Sequence, residues 1–196
     1  MRAFAVAVAC ALMCAIAACG TDEEAERERA EAEERVAELS EEIEELRAKL
    51  NEGQDCEEQL EELNTTLTDL ESELRVGMSF SDYSRTVREA SVAYGRIDVA
   101  ELSDDCGTEV GIPLEDALNK HIKAEDLWGD CIDDYTCDTD SIDPRLQRLW
   151  GQASDLMSDA KDGIGELIND VEERIDEAEQ EIEEAESVLA KHSESE

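Results

Sequence analysis

The amino-acid sequence predicts an all-α protein: a small disulfide-stapled helical domain between two acidic coiled-coil arms, with an antiparallel hairpin stalk as one arrangement of those arms. Three observations carry this expectation. Apolar residues recur at steps of three and four along both ends of the chain, no useful stretch alternates at period two, and both prolines and six of the seven aromatic residues gather in the middle. Aromatics make up only 4% of the 196 residues and the apolar set is mostly Ala, Leu, Val and Ile, which argues against a large globular core.

Charge limits the partners. Fifty-five acidic against seventeen basic residues give a formal net charge of −38, which repels nucleic acid and anionic lipid head groups alike. No nucleic-acid partner is expected. The same acidity suits a divalent cation, a basic partner, solubility or a salty habitat.

The first element is a leader. Arg2 precedes an unbroken small-apolar run from Ala3 to Ala18, and the composition switches abruptly at Thr21-Asp22-Glu23-Glu24. That run is shorter than the roughly 20 residues a helix needs to cross a bilayer. It ends in Ile16-Ala17-Ala18-Cys19, which resembles the lipobox of bacterial lipoproteins, with Ile16 where Leu is commoner. The resemblance implies cleavage after Ala18, a diacylglycerol on the Cys19 sulfur and an acyl chain on its new amino group. Residues 1–18 are then a signal peptide, and Cys10 and Cys14 leave with it. The alternative is a plain secretory signal with an incidental cysteine. Two or three acyl chains hold a protein on a membrane far more firmly than one. The expected address is therefore the cell membrane or outer membrane, facing away from the cytoplasm.

Residues 19–76 form the first acidic arm. Val36, Leu39, Ile43, Leu46 and Leu50 follow coiled-coil spacing, with Ala25 and Ala32 continuing the stripe backwards. Leu60, Leu63, Leu67, Leu70 and Leu74 resume it three residues out of frame. Either the coil is overwound there or the helix ends at Asn51-Glu52-Gly53, and Asn with Gly favours a helix end.

Residues 77–150 hold Phe80, Tyr83, Tyr94, Trp128, Tyr135 and Trp150 and read as the compact helical domain. Ser81 or Asp82 is expected to cap a helix bearing Tyr83, Val87, Ala90 and Tyr94 on one face. Ile112-Pro113-Leu114 opens another, with Leu118, His121, Ile122 and Trp128 along its stripe. Residues 151–196 return to an acidic arm and a polar tail. There Ile164, Ile168, Val171, Ile175, Ala178, Ile182, Ala185 and Leu189 keep the three-four rhythm. Asp143 as N-cap and Pro144 at the first helical position predict one helix from Pro144 to near Ala190, weakened at Gly151, Gly163 and Gly165. At 1.5 Å per residue the two arms would measure roughly 80 Å and 70 Å, similar enough for a hairpin. Their pairing, with each other or in self-association, must overcome acidic repulsion through the apolar seam.

Cys56, Cys106, Cys131 and Cys137 remain in the exported chain, an even number that suggests two disulfides. Closeness pairs Cys131 with Cys137 and leaves Cys56 for Cys106. Because a straight helix would carry the chain roughly 30 Å beyond Cys56, that second bond requires the segment after Gly53 to fold back. Alternatively Cys106 pairs with Cys131 or Cys137, and Cys56 bridges two chains.

Residues 130–143 contain Asp130, Asp133, Asp134, Asp138, Asp140 and Asp143. Asp133, Asp134, Asp138 and Asp140 could offer calcium the oxygen ligands it takes, although the spacing is not that of an EF-hand. The competing reading is that Asp143 caps a helix while the others are solvated. His121 and Glu125, four apart, could form half of a zinc site, but a packed histidine is the commoner role for such a residue. No nucleophile motif, phosphate loop or dinucleotide fingerprint occurs, so no catalytic residue is assigned and no enzyme is expected.

The run Pro113-Leu114-Glu115-Asp116-Ala117-Leu118, continued by Trp128, Cys131, Cys137, Leu146 and Trp150, resembles small secreted or lipid-anchored helical proteins of actinobacteria. Those proteins mostly lack an assigned activity, so the resemblance implies helices and export. Together these features lead to a non-enzymatic structural or protein-interaction lipoprotein, held to the membrane through Cys19 and meeting an envelope protein or its own kind through coiled coils. The alternative is an extracytoplasmic binding module that holds calcium or a small ligand in the Asp-rich loop, with no other cofactor.

Overall fold

The computed structural model describes the backbone of residues 3–193 and the side chains of 23–191. Every element among them is helical: α1 (Ala3–Val76), α2 (Phe80–Tyr94), α3 (Asp104–Cys106), a π turn (Gly107–Gly111), α4 (Ile112–Asp133) and α5 (Thr139–Ser193). No strand occurs among the described residues, so the fold is all-α. None of these helices, among the described residues, is long and apolar enough to cross a membrane. Cys19, the lipidation candidate, lies outside the residues whose side chains are described, as do Cys10 and Cys14.

The chain divides into two compact units, Ala48–Glu172 and the combination of Met1–Arg47 with Glu173–Glu196. In Ala48–Glu172, four helical stretches share one core. Cys56, Leu60, Leu63 and Leu67 of α1 meet Ala90 and Ala93 of α2, Val110, Leu114, Ala117 and Leu118 around α4, and Ala153, Met157 and Ala160 of α5. A second cluster joins Leu70, Tyr83, Val87, Ala124, Cys131, Ile142 and Leu146. Residue numbers rise and fall alternately between the two clusters, so the stretches run up, down, up, down.

Helix α1 passes through Asn51-Glu52-Gly53 without a break, correcting the helix end expected there. The apolar stripe absorbs the three-residue shift through Gly53 and Cys56, both buried, as an overwound seam. Gly53 serves close packing instead. A Cβ built on it would sit 2.6 Å from the Leu167 carbonyl oxygen, so the α1 and α5 backbones approach more closely there than any side chain permits.

Gly163 does the same on α5, where a Cβ would lie 2.5 Å from the carbonyl oxygen of Glu109. That carbonyl is four residues before Pro113, which has no N–H, so it has lost its α-helical donor. The π turn, closed by Ile112 N–H to Gly107 O, carries the helix past the proline.

Cys56 is bonded to Cys106 and Cys131 to Cys137. The return path to Cys56 differs from the one expected: α1 continues as one helix and α2 makes the journey. Gly77, at φ 88°, turns the chain after α1, and α2 descends antiparallel until Arg96 reaches Glu62. Two disulfides accord with an oxidising, extracytoplasmic compartment.

Two caps lie earlier than the sequence suggested. Ser79, not Ser81 or Asp82, caps α2 by accepting the Asp82 N–H at 3.2 Å. Helix α5 begins at Thr139, so Pro144 lies inside it rather than at its first position. Asp138 takes over as the starting residue, its carboxylate accepting the Asp140 N–H at 3.1 Å, and Pro144 then costs one backbone bond within the second turn.

In the other unit two helical stretches pair antiparallel. Leu39 and Ile43 pack with Ala178 and Ile182, and cross-helix ion pairs join Arg35 to Glu181, Arg47 to Glu179 and Arg174 to Glu42. The Glu181 carboxylate raises the Arg35 guanidinium further above its usual range, chiefly through their hydrogen bond.

Candidate functional site

The site arises from the aromatic cluster in Ala48–Glu172. Tyr83 on α2 and His121 on α4 face inward because each lies on the apolar stripe of its helix, and neither has any exposed surface. Trp128 and Trp150 close around Tyr83 with ring centroids 5.7 and 5.9 Å away, and Phe80 stacks beyond Trp128 at 5.6 Å.

The polar atoms inside this cluster have one consistent arrangement. Trp150 Nε1–H donates to Tyr83 Oη at 3.0 Å. Tyr83 Oη also lies 3.1 Å from the His121 carbonyl and 3.0 Å from His121 Nδ1. A carbonyl only accepts, so the single phenolic hydrogen goes to it, and Nδ1 must then be the donor to Oη. All three contacts are satisfied only by the Nδ1–H tautomer, which leaves His121 Nε2 as a bare lone pair. Burial lowers the His121 pKa to about 4, so the ring is neutral at pH 7. Burial also pushes the Tyr83 phenol up, and it stays protonated.

His121 Nε2 has no hydrogen-bond partner, and neither has Glu71 Oε1, which is buried as well. Both residues line one cavity of about 250 Å³, together with Leu74, Arg75, Gln147, Trp150, Gly151 and Ser154. The other carboxylate oxygen of Glu71 is 3.9 Å from the largely exposed Arg75 guanidinium. A groove of about 660 Å³ shares Glu71, Arg75 and Ser154 with this cavity and extends along α1 and α5 to Asn169. Ser154 is not hydrogen-bonded to Nε2, so the pair is not arranged as nucleophile and base.

Of the residues singled out in the sequence, His121 lies in this site and the aspartates of residues 130–143 fall elsewhere. Asp133, Asp134, Asp138 and Asp140 are all exposed. Asp134 Oδ1 accepts the Thr136 N–H at 2.9 Å and its hydroxyl at 2.8 Å, which lowers its pKa. Asp138 is committed to the start of α5. No group of three or more His, Cys, Asp or Glu side chains converges as a metal site among the described residues. Glu125 accepts the Ser84 hydroxyl at 2.5 Å while His121 turns its Nδ1 to Tyr83, so the structure does not bring the two together as a half-site.

Glu71 was invisible to sequence reasoning because it is one glutamate among dozens. Its only signal is that it flanks Leu70 on the inner edge of the α1 stripe. Comparison of the chain with protein-family models, with curated proteins and with solved structures gave no match.

Proposed function

We propose that the chain is a lipid-anchored, extracytoplasmic lipoprotein with a structural or protein-interaction role, tethered through Cys19 and presenting a disulfide-stapled helical bundle to a protein partner. The observation that carries this reading is the loop closed by Cys131 and Cys137. At its tip Tyr135 is fully exposed, and Ile132, within the same closed segment at the end of α4, is 46% exposed. A large amphipathic ring held on a short covalently closed loop loses little conformational freedom on binding, which is why tyrosine serves so often at protein interfaces.

The test is site-specific crosslinking in cells. The full lipidated chain carries a photoreactive phenylalanine analogue in place of Tyr135, with a second version labelled at Glu89 on the exposed face of α2. A discrete adduct formed from position 135 alone, and competed by unlabelled protein but not by Tyr135→Ser, supports the reading. Equal labelling from both positions, or none from 135, overturns it. Growth in labelled palmitate, comparing the native chain with Cys19→Ser, tests the anchor separately.

A further inference from the structure

We propose that the Glu71–His121 cavity binds a small organic ammonium ion: a primary amine head held by the two buried acceptors, with an apolar body against Leu74 and Trp150. Two independent features point to a ligand there. The cavity, about 250 Å³ and open to solvent on one side, has room for a molecule larger than a single water. Two of its lining residues, Glu71 and His121, each carry a buried atom that lacks a partner, and both atoms are acceptors.

The chemistry of those atoms selects the head group. Tyr83 dictates the His121 tautomer, so Nε2 offers a lone pair and no hydrogen. Arg75 engages Glu71 through Oε2 and leaves Oε1 free. An anion or a carbonyl-headed ligand brings no hydrogen to either of these two lone pairs. A primary ammonium brings three donors, enough for Oε1, Nε2 and the side-chain oxygen of Gln147 or Ser154 at the wall. The net charge of −38 concentrates organic cations near the surface. Arg75 opposes a cation, but its side chain is 75% exposed and its charge is screened by solvent. A metal ion is the weaker candidate, since the cavity supplies only one carboxylate and one imidazole.

The probe is benzylamine, titrated at pH 7.5 into the full exported chain with both disulfides intact and followed by calorimetry and by the nitrogen resonances of the His121 ring. Saturable one-to-one binding is expected, with His121 Nε2 among the most strongly shifted resonances. Affinity should fall at least tenfold in Glu71→Gln, and benzyl alcohol should bind at least tenfold more weakly than benzylamine. Gly151→Leu supplies a second variant that touches neither acceptor: Gly151 lines the cavity, and no atom lies within 4 Å of a Cβ there, so a bulkier residue is placed at the cavity wall with no clash at its Cβ. It should abolish binding while leaving the helical circular dichroism intact. A linear, unsaturated response, or binding that survives both Glu71→Gln and Gly151→Leu, would overturn the assignment.

Discussion

Ala48–Glu172 and the unit formed by the two ends of the chain are built from the same two long helices, yet they are held by different forces. In the first, buried Leu, Ala and Tyr side chains from four stretches interlock with partly buried Trp128 and Trp150 against them, two disulfides close loops, and glycines admit backbone contacts. In the second, the buried cluster consists of Leu39, Ile43 and Ala178 with Ile182 against it, flanked by exposed ion pairs. Heptad spacing is common to both, so spacing alone does not decide where stability lies. Depth of burial does, and it depends on the residues that interrupt the heptads: cysteines, glycines and aromatics.

The largest test of that contrast removes a covalent link. Loop-closure entropy over the 50-residue separation of Cys56 and Cys106 corresponds to about 4 kcal/mol, against about 2 kcal/mol for the 6-residue separation of Cys131 and Cys137. Denaturant unfolding of the paired serine variants should rank them in that order. Equal losses would mean that native packing, not the unfolded chain, sets the effect.

Glycine comes next. Ala is the better helix former, so each Gly→Ala change within a helix should stabilise by up to about 1 kcal/mol where space is open. Gly151→Ala should do so. Gly163→Ala and Gly53→Ala should instead each cost about 3 kcal/mol, because a backbone carbonyl occupies the place of the methyl group. The opposite signs at residues 151 and 163 of one helix are the outcome to check by thermal unfolding. A stabilised Gly163→Ala would break the account of the α5 contact.

The buried histidine gives the same unit a pH dependence. Its folded pKa of about 4 lies below the ordinary 6.5, so the unfolded chain takes up the proton first. Stability is complete above pH 6.5, falls as the pH drops toward 4, and loses nothing further from this group below that. Between pH 7.5 and pH 5 the loss is about 2 kcal/mol. Tyr83, protonated throughout, touches His121, Glu71 and Arg75 line the same cavity, and Glu125 is one turn along the helix. The measurement is therefore the difference in slope between the native chain and His121→Gln, which should be flatter over that window. Parallel slopes would remove the histidine from the acid response.

Much of the architecture was legible because it follows from period. The stripes Leu39 to Leu46, Leu60 to Leu74 and Ile164 to Leu189 each belong to a helix, and the even set of cysteines after the expected leader pointed to two disulfides. What failed depended on contacts between segments. Gly53 read as a helix end because an isolated Asn-Glu-Gly favours one; only the Leu167 backbone opposite it turns the same residue into a packing glycine. Pro144 read as a first helical residue because a helix start is its least costly place, but Asp138 offers a cap six residues earlier. The cavity was hidden for a similar reason. His121 was visible as the one structured histidine, but its tautomer and its free Nε2 come from Tyr83 and Trp150, which lie 38 and 29 residues away in sequence.

The smallest effect belongs to the two-helix unit and concerns salt. Residues 23–47 carry twelve acidic and four basic side chains, and residues 173–191 carry eight and two. Added salt weakens the cross-helix attraction of Arg47 for Glu179 and of Arg174 for Glu42, exposed pairs of a kind worth no more than about 1 kcal/mol each. It also weakens the repulsion among twenty acidic groups, which outnumber the basic ones more than threefold. Repulsion should therefore win. Raising sodium chloride from about 0.02 M to about 0.5 M, where the Debye length shrinks from about 20 Å to about 4 Å, should slow amide hydrogen exchange at residues 39–46 and 175–182. Exchange in the core of Ala48–Glu172 should change little, because burial and disulfides hold it. Arg174→Gln should exchange faster than the native chain at low salt and converge with it at high salt. Faster exchange of the native two-helix unit on adding salt would mean that the ion pairs, rather than the apolar seam of Leu39, Ile43, Ala178 and Ile182, hold those helices together.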